Sequence, residues 1–153
     1  MHITQTSPFT IAQNIQTSSG TRQVTAGSAF TSNVWTHIVS NYNSSEGKIY
    51  VNGVLTGTNN FGSVLPAIPN GTVVTIGGDT GSGRQLTGSI SKTKIYNKIL
   101  TVSEILQNYY QAPIVTDGLV FAVDANNLVS YPKSGTTAYD LAGSSTGTLT
   151  NGV

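Results

Sequence analysis

Along most of the chain large and polar side chains alternate in short runs, and a period of two marks half-buried strands. Phe9-Thr10-Ile11-Ala12 and Arg22-Gln23-Val24-Thr25 read as two such strands, joined by a turn at Ser18-Ser19-Gly20. Over residues 35–42 the alternation places Trp35, His37, Val39 and Asn41 on one face and Thr36, Ile38, Ser40 and Tyr42 on the other. Both faces carry large side chains, so both are expected to be partly covered. The sharpest local signal is Asn52-Gly53 between the β-rich runs of residues 48–56. An Asn-Gly pair tolerates the positive φ angles of a type I′ turn, whose twist matches its flanking strands, so a tight hairpin is predicted.

Residues 58–71 read as a longer loop, because Pro66 and Pro69 cannot donate to a ladder and Asn70-Gly71 offers a further turn. Residues 72–78 then form the next predicted strand, residues 79–84 a polar loop, and residues 85–91 and 92–96 two more extended stretches. At Thr101 the period changes. Thr101-Val102-Ser103-Glu104 is a capping-box sequence, in which the hydroxyl accepts from the third backbone N–H and the carboxylate returns to the Thr amide. Val102, Ile105, Leu106 and Tyr109 follow at helical spacing, with Pro113 beyond the end. One short helix near residues 102–110 is expected, stapled to the sheet by Tyr109 and Tyr110. The continuous apolar run Leu119-Val120-Phe121-Ala122-Val123 reads as a buried strand. Residues 126–153 read as structured loop with one or two short strands, in which Leu128, Tyr131, Tyr139, Leu141 and Leu149 call for burial.

Composition sharpens this all-β picture. Charged residues make up 8% of the 153 residues, against about 25% in an ordinary globular chain, and hydroxyls and amides take their place. Seven Lys and Arg oppose six Asp and Glu, which offers no electrostatic footprint for nucleic acid or an anionic membrane. There is no Cys, hence neither a disulfide framework nor a thiolate metal cage. No apolar run reaches membrane-spanning length and the N-terminus lacks a signal-peptide plan, so a soluble protein is expected. A weakly charged surface near neutrality favours life within an assembly.

Residues 35–110 resemble the closing half of a laminin-G-like, concanavalin A-like lectin/glucanase sandwich. The matching pieces are Trp35-Thr36-His37-Ile38-Val39, Gly47-Lys48-Ile49-Tyr50-Val51-Asn52-Gly53, Thr75-Ile76-Gly77-Gly78, Leu86-Thr87-Gly88-Ser89-Ile90, and Lys94-Ile95-Tyr96 through Glu104-Ile105. The fold implied is an antiparallel jelly-roll β-sandwich. A second set, Gly118-Leu119-Val120 to Asp124-Ala125, Ser130-Tyr131-Pro132, Ser134-Gly135-Thr136-Thr137, Asp140-Leu141 and Thr148-Leu149-Thr150-Asn151-Gly152, is similar to the opening of the same domain. The halves stand in reversed order. Residues 1–112 are therefore expected to form the main sandwich portion, and residues 113–153 to complete it by circular permutation or to complete a neighbouring subunit by strand exchange. A cut from a tandem array is the third reading. The opening set is also similar to segments of tailed-bacteriophage structural proteins, which implies a virion surface module, or otherwise a secreted one. Its expected partners are other virion proteins or copies of itself in a homo-oligomer, and glycans.

Candidate chemistry was sought against that background. Glycoside hydrolysis needs two carboxyl groups about 5 to 10 Å apart, and Glu46, Asp79, Glu104, Asp117, Asp124 and Asp140 show no pair at strand or helix spacing. No catalytic residue is assigned. His37 stands alone on its strand and reads as a packing residue. Sugar binding needs aromatic platforms beside amides, and the candidates are Tyr42, Phe61 and Tyr131 with Asn59 and Asn60. The laminin-G resemblance leaves calcium as the one cofactor in question, with Asp79 in its Gly-rich loop as the nominated ligand. Where the family often has Asp before the turn glycine, this chain has Asn52, which suits the turn and removes a charge.

Overall fold

The computed structural model describes residues 10–17, 20–27, 31–62, 75–78, 86–111 and 113–150. Their elements run in the order β1 (Ile11–Thr17), β2 (Gly20–Ala26), β3 (Ile38–Tyr42), β4 (Glu46–Val51), β5 (Val54–Asn60), β6 (Lys92–Tyr96), α1 (Val102–Tyr109), β7 (Leu119–Asp124), β8 (Thr137–Tyr139) and β9 (Thr146–Thr148). Every strand pairing is antiparallel, so the all-β class with one short helix holds among the described residues. The chain divides into two compact units, residues 1–73 with 99–114 and residues 74–98 with 115–153.

In the first unit β1 and β2 form a hairpin from Ile11↔Ala26 to Thr17↔Gly20, longer than the alternation alone marks out. Phe9 and the expected turn residues Ser18 and Ser19 lie outside the described residues. β3, β4 and β5 form a three-stranded sheet in that order. Its inward face carries Ile49, which is buried with Ile11, Val24 and Ala26 and ringed by Ile38, Val51 and Phe61. Each such aliphatic side chain contributes about 1.5–3 kcal/mol when removed from water. The two layers approach closely at Gly57, where a Cβ would lie 2.5 Å from the Thr25 carbonyl oxygen.

The Asn52-Gly53 turn has the positive φ pair its sequence requires, 50° and 82°, closing Val51 against Val54. β5 runs on to Asn60, opposite Glu46, so the loop expected from residue 58 begins later. The cause is the β3–β4 turn: Asn43 Oδ1 accepts from Ser45 N and Glu46 N at 2.8 Å each, and Phe61 N donates to Ser45 O at 2.6 Å. That extends the ladder. The Pro66, Pro69 and Asn70-Gly71 features lie outside the described residues. Strand β3 begins only at Ile38. Residues 35–37 are held instead by the hairpin turn, since His37 N donates to Asn52 Oδ1 at 2.9 Å and Asn52 N to His37 O at 2.8 Å.

The helix starts where the capping box places it. Glu104 N donates to Thr101 Oγ1 at 3.3 Å and Thr101 N to Glu104 Oε2 at 2.8 Å. Ile105 is fully buried, whereas Val102 faces outward. Gly53 makes room for Leu106, because a Cβ there would come within 2.7 Å of Leu106 Cδ2. Tyr109 packs its ring 5.8 Å from that of His37. Tyr110, expected to share the stapling, is instead 72% exposed because the helix ends beneath it.

In the second unit β6 pairs with β7 of the same chain, from Lys92↔Asp124 to Tyr96↔Leu119. The apolar run is a strand but not a buried one. Only Ala122 is buried, while Val120 and Ile95 remain exposed, because β6 and β7 make a two-stranded sheet. Of the strand expected over residues 72–78, residues 75–78 are described and bend, with Gly77 at φ 81° and Leu86 N donating to Gly77 O at 2.8 Å; residues 86–91 stay outside any strand, and residues 72–74 and 85 lie outside the described residues. The two short C-terminal strands exist and pair as β8–β9. Burial falls differently from the expectation: Leu128, Tyr139 and Leu141 are exposed, Tyr131 and Leu149 are half-buried, and the buried residue is Ser130. Its hydroxyl accepts from Asp124 N at 3.1 Å and donates to Tyr139 O at 2.8 Å, so a polar hub organises this segment in place of an apolar one.

Candidate functional site

In the three-stranded sheet the residues that alternate with Ile49 bring Asn41 opposite Lys48 and Val39 opposite Tyr50. Asn41 is buried. Its Nδ2 donates to Leu100 O at 2.9 Å and its Oδ1 accepts from Leu100 N at 3.4 Å, which pins the stretch leading into α1. Between them lies a hollow of about 160 Å³, lined by Asn41, Tyr42, Asn43, Glu46, Lys48, Tyr50 and residues 99–102. Small-molecule pockets usually enclose about 300–1,000 Å³, so this one is too small to surround a sugar ring. Its charged groups are also committed to each other. Lys48 Nζ donates to Glu46 Oε1 at 2.6 Å, and that bond, against a small burial cost and with further attraction from Glu46 and Tyr50, raises the Lys48 pKa.

Each binding candidate has its own surroundings. Tyr42 borders the hollow and is 38% exposed. Asn59 and Asn60 are neighbours on β5 and face opposite ways. Asn59 Nδ2 reaches across to the Gln23 carbonyl at 2.8 Å, and Asn60 Oδ1 accepts from Gly62 N at 3.0 Å. Phe61 packs on the Ile49 cluster and serves the core. Tyr131 belongs to the second unit, its amide donating to Asn127 O at 2.8 Å. Asp79 lies outside the described residues. Among the described residues no cluster of three or more His, Cys, Asp or Glu could hold a metal ion.

The other carboxylates all have structural employment. Glu46 holds Lys48, Glu104 closes the capping box, Asp117 pairs with Lys98, and Asp124 lies 3.2 Å from Lys92. Asp140 Oδ1 accepts from Ala122 N at 2.9 Å and Ala142 N at 2.8 Å. Burial pushes the Asp140 pKa up, but the backbone amides of Ala122, Ala142, Gly143 and Ser145 together pull it below the ordinary value. Oδ2 is buried without a hydrogen bond of ordinary geometry.

The alternation did not single out the side chains that stand out on the first unit. Trp35 is 70% exposed, Val54 66% and Tyr110 72%. Val54 follows the Asn52-Gly53 turn, Trp35 stands two residues before His37, whose N–H donates to Asn52 Oδ1, and Tyr110 follows Tyr109, whose ring lies 5.8 Å from that of His37. Their sequence signal is weak: Trp35 and Tyr110 sit just outside a regular element and Val54 opens β5, and alternation gives a face without saying whether that face is covered. Exposed large apolar side chains mark interaction surfaces where they join into a patch.

No helix among the described residues is long and apolar enough to cross a membrane. No curated protein matches the chain. A solved structure similar to it is the 2.1 Å crystal structure of an S-layer domain-containing protein (residues 221–444) from Clostridium thermocellum ATCC 27405, 27% identical, covering 66% of this chain and 52% of that one at a TM-score of 0.46. The match thus spans about half the length of that crystallised chain. The laminin-G family model of the concanavalin A-like lectin/glucanases superfamily matches residues 2–106. With well over half of its residues so matched, on a framework of antiparallel strands with a single capped helix, the chain belongs to the concanavalin A-like lectin/glucanase superfamily as a laminin-G-like β-sandwich domain.

Proposed function

We propose that this domain is a non-catalytic interaction module, a building part of a particle surface such as a virion capsid decoration or tail-associated protein. The observation that carries the reading is the exposure of three large apolar side chains of the first unit, Trp35, Val54 and Tyr110. A chain with 8% charged residues has little else with which to keep such a surface solvated, and covering it with another protein removes that apolar area from water. The structural employment of Glu46, Glu104, Asp117, Asp124 and Asp140 supports the non-catalytic part. The virion setting draws on the similarity of residues 118–152 to tailed-bacteriophage structural proteins. Light scattering across a concentration series tests the reading. The wild type is expected to associate, and Trp35→Ser with Tyr110→Ser to shift it toward the monomer. A wild type that stays monomeric and leaves Trp35 equally quenchable at every concentration overturns self-assembly as the mode of attachment.

The exposed Trp35 indole favours a second reading, a free-standing lectin-like module, because a flat aromatic ring can stack on the apolar face of a pyranose. A glycan array separates the two. Binding that disappears with Trp35→Ser supports the lectin reading, and a blank array removes it.

A further inference from the structure

Strand β7 has two edges, and β6 occupies one of them. The outward-pointing backbone groups of Ala122 and Asp124 are satisfied in another way. Asp140 Oδ1 accepts from Ala122 N at 2.9 Å, and Ser130 Oγ accepts from Asp124 N at 3.1 Å. Leu141 N donates to Ala122 O at 2.8 Å and Asn127 N to Asp124 O at 3.0 Å. Two side-chain oxygens thus stand where the carbonyls of a neighbouring strand would stand, and two loop amides stand where its N–H groups would. The cap is itself braced. Tyr139 N donates to Ser130 O at 2.7 Å, and Ala142 N donates to Asp140 Oδ1 at 2.8 Å.

An edge strand is a template for pairing with another chain, and proteins blunt such edges. β7 is a hazardous one: Leu119-Val120-Phe121-Ala122-Val123 is apolar, uncharged and free of Pro, the composition that favours strand-on-strand association. We infer that residues 126–145 act as an edge guard, and that β7, once uncapped, pairs with β7 of a second copy. A strand edge can meet its own copy antiparallel about a two-fold axis, so each copy supplies the groups the other lacks. Val120 and Ile95, exposed in the single chain, then gain neighbours on the widened sheet.

The test uses the full chain and reads molar mass relative to wild type, whatever state the Trp35 surface imposes. Asp140→Ala with Ser130→Ala removes both oxygen stand-ins, and twice the wild-type mass is expected, with the Ala122 and Asp124 amides still slow to exchange in the larger species. Asp140→Asn keeps an acceptor in place and is expected to keep the wild-type mass. Should the double variant lose its β spectrum, Ser130→Ala alone is read in the same way. A folded variant that stays at wild-type mass overturns the inference. Loss of fold in both variants assigns the segment to folding of the unit and overturns it equally. Failure here leaves the Trp35 assembly reading intact, because that reading depends on the wild-type mass and on the Trp35 and Tyr110 variants.

Discussion

Asn41 and Leu100 are joined in both directions, the amide nitrogen donating to the Leu100 carbonyl at 2.9 Å and the amide oxygen accepting from the Leu100 N–H at 3.4 Å. The side chain imitates one residue of a neighbouring strand. Leu100 is buried, so its backbone groups have no ready access to water. Asn41→Leu preserves bulk but strands both of them, and an unsatisfied buried backbone group costs roughly 1–3 kcal/mol. A loss within that range in urea unfolding is expected, with α1 loosened because Leu100 immediately precedes its cap. Asn41→Leu at wild-type stability would mean that the Leu100 groups find other partners.

The helix start gives a second, smaller expectation. Thr101→Ala removes the acceptor for Glu104 N and the brace for the Glu104 carboxylate, and loss of an N-cap costs about 1 kcal/mol. Thr101→Ser retains the oxygen and should restore most of it. Equal stabilities for the Ala and Ser variants in chemical denaturation would show that the cap is not stabilising the helix.

Close approach of the two layers at Gly57 predicts a larger effect. A Cβ there meets the Thr25 carbonyl oxygen at 2.5 Å, and the obstacle is backbone, which cannot rotate aside. Gly57→Ala must push β5 from β2, and overpacking of this kind costs about 1–3 kcal/mol. Gly27→Ala is the control, since nothing lies within 4 Å of a Cβ at that position. A midpoint for Gly57→Ala equal to that of Gly27→Ala would contradict the close packing of β2 on β5.

These three cases also show what could be read from the residues alone. The capping box and the Asn52-Gly53 hairpin were legible because all their partners lie within a few positions, and local chemistry decides them. Asn41 was legible only as to its face, because its partner Leu100 is 59 positions away. The surroundings of the binding candidates were hidden for a related reason. Asn59 and Phe61 look available in a polar stretch, yet β5 is longer than its alternation suggests, and it turns both toward the core side, where Gln23 and the Ile49 cluster take them. Trp35 was missed in the opposite sense. Its apolar character implied cover, whereas the strand begins three residues later and leaves the ring outside. Leu119-Val120-Phe121-Ala122-Val123 disclosed a strand but not its exposure, since burial depends on what else packs there.

Acid should act on the second unit through Asp140. Its carboxyl titrates below the ordinary range when folded, and near the ordinary Asp value of about 3.9 when unfolded. Between those values the unfolded chain holds more protons, so stability rises with pH across that window. The contribution is complete above the unfolded value and is lost as pH falls through the folded one. Asp140→Asn keeps an oxygen for Ala122 N and Ala142 N but cannot titrate, so its denaturant midpoint should fall less steeply than wild type as the pH drops below about 4. The two proteins differ only at this side chain, which leaves the difference between the two curves to Asp140. Wild-type and Asp140→Asn curves that run parallel through this range would show that the Asp140 carboxylate gains nothing from the Ala122 and Ala142 amides.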